Sequence, residues 1–349
     1  MEEFFSRSLN RKNFVRGTLF FILCTVVGLY VSFLWSGTAN VGFVLRSIRG
    51  KFLLFGTLCM FADWLSGSAR FYIFARKMSP RVTFLDSIRA NLATICVGGI
   101  TPFQTGGVGH IYIFNRVGVP VSGGMTTGII TFIGTLIFLI LSTGYAVWQA
   151  PDFLPKGIKF VTQYSLLMFA VVLSLFLFMV IKPEAILFPL IRIQLPRRRG
   201  FRLVAKILDR LVLTLEKLIL EHKAFTRMFI REHKMVCALS FVFSAGIYVS
   251  RFVGGYVVVR ALGGDALFWH VIAAQVILTF VTLFAPSPGA SGIAEFLIAV
   301  LMKPLLAPEA IGLYALISRL FTTYCGVGVG GVVLVSQLTQ DLRDGEIGR

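Results

Sequence analysis

Five charged side chains stand deep inside apolar sequence. Asp63 and Glu295, of 16 acidic residues in the chain, fall there, as do the bases Arg70, Arg251 and Arg319. An ionised group in hydrocarbon costs about 3 kcal/mol on insertion scales, so each of these should face a partner or water. Asp63 and Arg70 are seven residues apart, two turns along one helix face, too far for direct contact without help. Glu295 would hold Arg319, accept a proton or meet a cationic headgroup; alternatively the two form a buried pair that only locks helices together. Bond-breaking chemistry has no comparable set. The chain lacks a Walker-type loop, a G-x-S-x-G elbow and paired carboxylates, its four histidines show no H-x-x-x-H spacing, and its five cysteines have no metal-ligand spacing. No metal, no cofactor and no enzymatic activity are expected.

Two breaks frame these charges. "GGITPFQTGGVGHIY" (Gly98–Tyr112) and "FAPSPGASGIAE" (Phe284–Glu295) interrupt the apolar pieces Ser87–Val117 and Phe268–Lys303. Each piece is expected to form helix, break, helix, with neither half long enough to cross about 30 Å of hydrocarbon. Such a re-entrant hairpin is tolerated at membrane depth only where it is buried in protein or lines a wet cavity. The glycines, among them Gly106, Gly107 and Gly289, permit close packing where the chain reverses. Half-helix N-termini beginning near Thr105 and Ala290 would aim unpaired N–H groups at a phosphate, and Arg251, Arg319 and His110 would add positive charge. With Glu295, Asp63 and Arg70 these residues make up the expected substrate-binding set, in a polar cavity between two repeats.

The remaining sequence supplies the elements that position this set. The chain has 349 residues, of which 56% are hydrophobic and only 14% charged, which excludes a soluble domain and points to an all-α polytopic membrane protein. Expected spans are Gly17–Trp35, Lys51–Ala75, Gly124–Trp148, Tyr164–Ile181, Met235–Val259 and Ala310–Leu334, six in all beside the two hairpins. The first follows Arg7, Arg11, Lys12 and Arg16 and is taken as a retained span rather than a signal peptide. The net charge of +18 sits in loops between spans, so anionic lipid and not nucleic acid is the expected partner. Lys182–Lys234 carries thirteen bases against five acids and is expected to be cytoplasmic, with both termini on the same side; Arg46, Arg49, Lys51 and Arg260 run against that orientation. Within this loop Val204 to Ile219 has the apolar spacing of an amphipathic helix lying at the interface or docked on the protein's own core. "GVGVGG" (Gly326–Gly331) is expected to allow close helix contact.

A shift of 184 residues aligns Tyr72 with Tyr256, Arg76 with Arg260, Asn91 with Gln275 and Pro102 with Pro286. Counting crossings places span, hairpin and span twice in opposite orientation, the pattern of an inverted repeat. The single integral membrane domain would then comprise a first repeat over about 51–149, the basic loop over 182–234 and a second repeat over about 235–338.

From Leu19 to Leu338 the chain resembles the membrane region of the lysylphosphatidylglycerol synthase family, also called the flippase-like or UPF0104 family. The residues that carry the resemblance are "TPFQTGG" with "IYIFNRVGVP" (Thr101–Pro120) and "PSPGASGIAEF" (Pro286–Phe296), with Arg319 about a helix later. The resemblance implies an acid in the first hairpin and an arginine in the span after it. Here His110 stands near the first position and Phe132 to Thr135 near the second, so only the second repeat keeps its pair, Glu295 and Arg319. The family's lysyl-transfer domain is also absent from this sequence, which ends at "DLRDGEIGR", expected to be a short polar tail. The expected function is movement of an anionic lipid headgroup between leaflets of the inner membrane; the resemblance implies a phospholipid, and polyprenyl phosphate is the other candidate. The alternative is a non-transporting lipid-binding partner of a separate synthase or glycosyltransferase. Partners would be anionic lipids, with a homo-oligomer or a separate lipid-modifying enzyme also open.

Overall fold

The computed structural model describes residues 11–36, 48–102, 105–149, 156–182, 217–283 and 285–347, and among these the chain is helical with no strand. The helices are α1 (Arg11–Ser36), α2 (Gly50–Met78), α3 (Phe84–Ile100), α4 (Gly107–Arg116), α5 (Val121–Gln149) and α6 (Lys156–Ile181). After them come α7 (217–227), α8 (Lys234–Ala261), α9 (Phe268–Thr282), α10 (Ile293–Met302), α11 (Pro308–Arg319) and α12 (Cys325–Ile347). A π-turn at Leu320–Tyr324 joins α11 to α12.

Five stretches are long and apolar enough to cross a membrane: Arg16–Leu34, Gly50–Met78, Val121–Trp148, Lys234–Ala261 and Pro308–Asp341. They coincide with five of the expected spans. The sixth falls in α6, where the described apolar stretch, Thr162–Phe178, is shorter. Large apolar side chains such as Leu23, Leu58, Leu141 and Val332 point outward from these helices, the reverse of a water-soluble surface.

The two broken pieces fold back on themselves. Thr83 caps α3 in a capping box with Asp86, so the helix starts at Phe84 rather than at Ser87. The chain then breaks at Pro102, and α4 returns along α3 so closely that a Cβ on Gly106 would collide with the Thr94 carbonyl oxygen. The Ser79 hydroxyl donates to the Val117 carbonyl at 2.9 Å, so the two ends of this hairpin meet. In the second piece α9 and α10 share one apolar core, and its ends meet where Leu306 lies against Gly264.

The 184-residue correspondence extends to contacts. Tyr72 packs edge-on against Phe84 with ring centroids 5.7 Å apart, and Tyr256 packs in the same way on Phe268 at 5.0 Å. Arg76 donates to the Pro80 carbonyl, and Arg260 donates to the Gly264 carbonyl. In each comparison both partners shift by 184. The helices α2 and α8 pack along their length and run antiparallel: the amide of Arg49, just before α2, donates to Ala261 at the end of α8, while Arg70 near the end of α2 reaches Ser244 in the first half of α8. Each half closes on the other, because α5 packs on α8 and α9 while α12 packs on α3. That last contact uses Gly330, where a Cβ would collide with the Leu92 carbonyl.

One expectation changes here. Asp341, placed in a polar tail, lies within α12, accepts from the Tyr112 hydroxyl and pairs with Arg116 at 2.8 Å. Most of the amphipathic segment Val204–Ile219, like Arg197 to Arg199, lies outside the described residues. Beyond that segment, α7 docks on the protein: Glu221 accepts from Ser122 at 2.6 Å, and His222 meets Thr126 at 2.8 Å.

Candidate functional site

One core forms under the first hairpin with α12 and another under the second with α11, and a cavity of about 630 Å³ opens between them. Both hairpin tips line it, through Thr105, Gly106 and Gly107 on one side and Gly289 and Ala290 on the other. Asp63 and Arg70 of α2, His110 of α4, Arg251 of α8 and Arg319 of α11 complete the polar wall. Thus ten of the eleven expected site residues line a single space. Glu295, the eleventh, is fully buried behind Arg319 and does not line it.

The carboxylates are already engaged. Arg251 grips Asp63 with two parallel bonds, Nε to Oδ2 at 2.9 Å and the Nη2 nitrogen to Oδ1 at 3.3 Å. Asp63 therefore pairs across the α2–α8 seam and not with Arg70, and the charge expected from Arg251 is locally cancelled. Arg319 Nε donates to Glu295 Oε1 at 3.1 Å, and the remaining nitrogens donate to the Gly289 carbonyl at 2.6 Å, the Ser291 hydroxyl at 3.4 Å and the Thr323 hydroxyl at 3.0 Å. Glu295 Oε1 also accepts from the Tyr324 hydroxyl at 3.2 Å, and Oε2 accepts from the Gly292 amide at 2.6 Å. Arg319 thereby ties the second hairpin tip to the helix that closes the half.

This corrects one expected anion site. The second half-helix starts at Ile293, not near Ala290, and its N-cap amide is taken by Glu295. Ala290 instead ends a short turn in the left-handed region at φ 58°. At the first break α4 starts at Gly107 with no side-chain cap. His110 Nε2 donates to the Gly124 carbonyl at 3.0 Å, and its Nδ1 lies 3.4 Å from the Thr94 hydroxyl, which is also 2.8 Å from the Ala90 carbonyl; a neutral ring accepts at Nδ1 when that hydroxyl turns to it. His110 thus links α3, α4 and α5.

A profile for the lysylphosphatidylglycerol synthase TM region matches residues 18–330. The chain belongs to this family. A protein of Archaeoglobus fulgidus described as a UPF0104 membrane protein is 22% identical over 317 residues, covering 89% of this chain and 94% of that one. With its long apolar helices, this member of the lysylphosphatidylglycerol synthase TM family is a multi-pass integral membrane protein.

Sequence reasoning did not find the partners of the charged groups. Thr135 and Ser244 hold Arg70 at 3.2 Å each, and Ser291, Thr323 and Tyr324 complete the Glu295–Arg319 cluster. Hydroxyls are common in apolar helices because they bond to their own backbone, so composition and spacing do not mark the few that turn to a side chain.

Proposed function

We propose that this protein moves an anionic lipid headgroup between leaflets of the inner membrane through the cavity between its two halves, without making or breaking bonds in the lipid. The observation that carries the proposal is the convergence of two hairpin tips and three arginines on one cavity within an apolar helical assembly. In this reading the hairpins are re-entrant. The halves form an inverted repeat, supported by the 184-residue matches and by the antiparallel packing of α2 on α8. A pseudo-twofold of that kind provides two related conformations that open alternately to either side. In the same reading the excess of Lys and Arg over 182–234 favours a cytoplasmic loop, with both termini on that side. Movement is downhill or coupled to an ion, since no nucleotide-binding loop is present in the sequence.

A lipid-binding scaffold needs access from one side; a translocator needs it from both. Single cysteines at Thr105 and Thr279, which line the cavity from α4's break and from α9, distinguish the two. In proteoliposomes lacking the five native cysteines, each position is expected to react with impermeant maleimide added to either face. Reaction from one face only would leave the scaffold reading.

A further inference from the structure

The two halves of the cavity are not electrically equivalent. Arg319 is answered by Glu295 and Arg251 by Asp63. Arg70 has no such answer: Nη1 donates to the neutral hydroxyls of Thr135 and Ser244, its buried Nε has no partner, and no ion pair among the described residues includes it. Thr135 stands 184 positions before Arg319, and Ile111 stands 184 before Glu295. Arg70 thus brings a guanidinium from α2 to the place that Arg319 takes in the other half, but isoleucine holds the place of the acid.

Three arginines against Asp63 and Glu295 leave one positive charge at the cavity wall when His110 is neutral. We infer that the cavity selects a headgroup with a single net negative charge, a phosphodiester, and that Arg70 holds its phosphate. This rests on the proposed role of the cavity as a headgroup site. Arg70 lines the cavity and no carboxylate pairs with it, so of the three lining arginines its guanidinium is the one a phosphate can claim. A zwitterionic headgroup would bring a cation to a wall whose carboxylates are already bonded. A phosphomonoester would bring a second negative charge that no free cation meets.

The test is binding, measured on the purified full-length protein in neutral detergent with dioctanoyl phosphatidylglycerol, dioctanoyl phosphatidylcholine and, as the dianion, dioctanoyl phosphatidic acid at pH 8. The wild type should bind phosphatidylglycerol at least about tenfold more tightly than either of the others, the margin of one charge-assisted pair. Arg70→Gln should erase that margin, and Arg70→Lys, which keeps the charge without the fork, should retain part of it. Because Arg70→Gln removes an unanswered buried cation, its lipid-free form should unfold at the wild-type temperature or above. Equal phosphatidylglycerol affinity in Arg70→Gln, no headgroup preference in the wild type, or a failure of Arg70→Gln to fold would each overturn the inference. Glycerophosphoglycerol, the same phosphodiester without chains, separates the two claims: if it binds as tightly as the lipid and through Arg70, the inference stands and the lipid reading fails. Leaflet exchange does not enter this readout, so a non-transporting scaffold could pass it.

Discussion

Glu295 has both oxygens bonded and no exposure, while Arg319 distributes its nitrogens over a carboxylate, a carbonyl and two hydroxyls. Removing one member of such a pair leaves the other uncompensated, a loss on the order of 3–5 kcal/mol. Glu295→Gln should therefore lower the unfolding temperature in detergent clearly, as Arg319→Lys should, because an ammonium cannot span Glu295, Gly289 and Thr323 together. Wild-type melting of Arg319→Lys would contradict this geometry. Ala290 offers a test of opposite sign. Its φ of 58° strains a residue with a Cβ, so Ala290→Gly should raise stability by about 1 kcal/mol, read from the same melting curves. At this scale the acids and arginines were legible because charge in apolar sequence demands a reason. Which acid meets which base was not: Asp63 could be measured against Arg70 on its own helix, but its partner, Arg251, is brought there by the packing of α2 on α8.

Helices pack here at distances that single side chains set. Gly330→Ala would drive a methyl group into the Leu92 carbonyl and should cost about 1–3 kcal/mol, measured by thermal unfolding. The docking of α7 should depend on pH. The Thr126 hydroxyl donates to the Ser122 carbonyl, so His222 Nδ1 donates to Thr126, and the buried Nε2 has no partner for a second proton. Burial accordingly pushes the His222 imidazole below its ordinary value. Docking is full while the ring is neutral and weakens as pH falls below about 6.5, where the undocked ring takes a proton that the docked ring refuses. Protection of the 217–227 amides, taken relative to the intrinsic exchange rate at each pH, should fall from pH 8 to pH 5, and His222→Gln should flatten that dependence; an unchanged pH response in the variant would exclude His222. Element types were readable from long apolar runs and Gly/Pro breaks, whereas some ends were not. The start of α3 was missed because its cap is Thr83 with Asp86, outside the usual Glu or Gln form of the box.

Across the whole molecule, four aligned residues at a shift of 184 hinted at repetition, but such matches cannot show contact. The paired Tyr–Phe edges and the paired Arg–carbonyl bonds can, since each joins two residues that shift together. The cavity was inferred in the sequence only as a need, a place for costly charges; its walls come from residues hundreds of positions apart. If both hairpins re-enter, Arg81 and Gly118 should label from one face, and Asp265 and Lys303 from the opposite face. Labelling of either pair from two different faces would dismantle the inverted repeat. The most direct measurement of the central claim is the rate at which fluorescent phosphatidylglycerol leaves the outer leaflet of vesicles that contain the pure protein, with phosphatidylcholine alongside. Transport through this cavity predicts exchange of phosphatidylglycerol well above protein-free vesicles, little exchange of phosphatidylcholine, and loss of the difference in Arg70→Gln. Exchange no faster than in protein-free vesicles, or equally fast for both lipids, would contradict it.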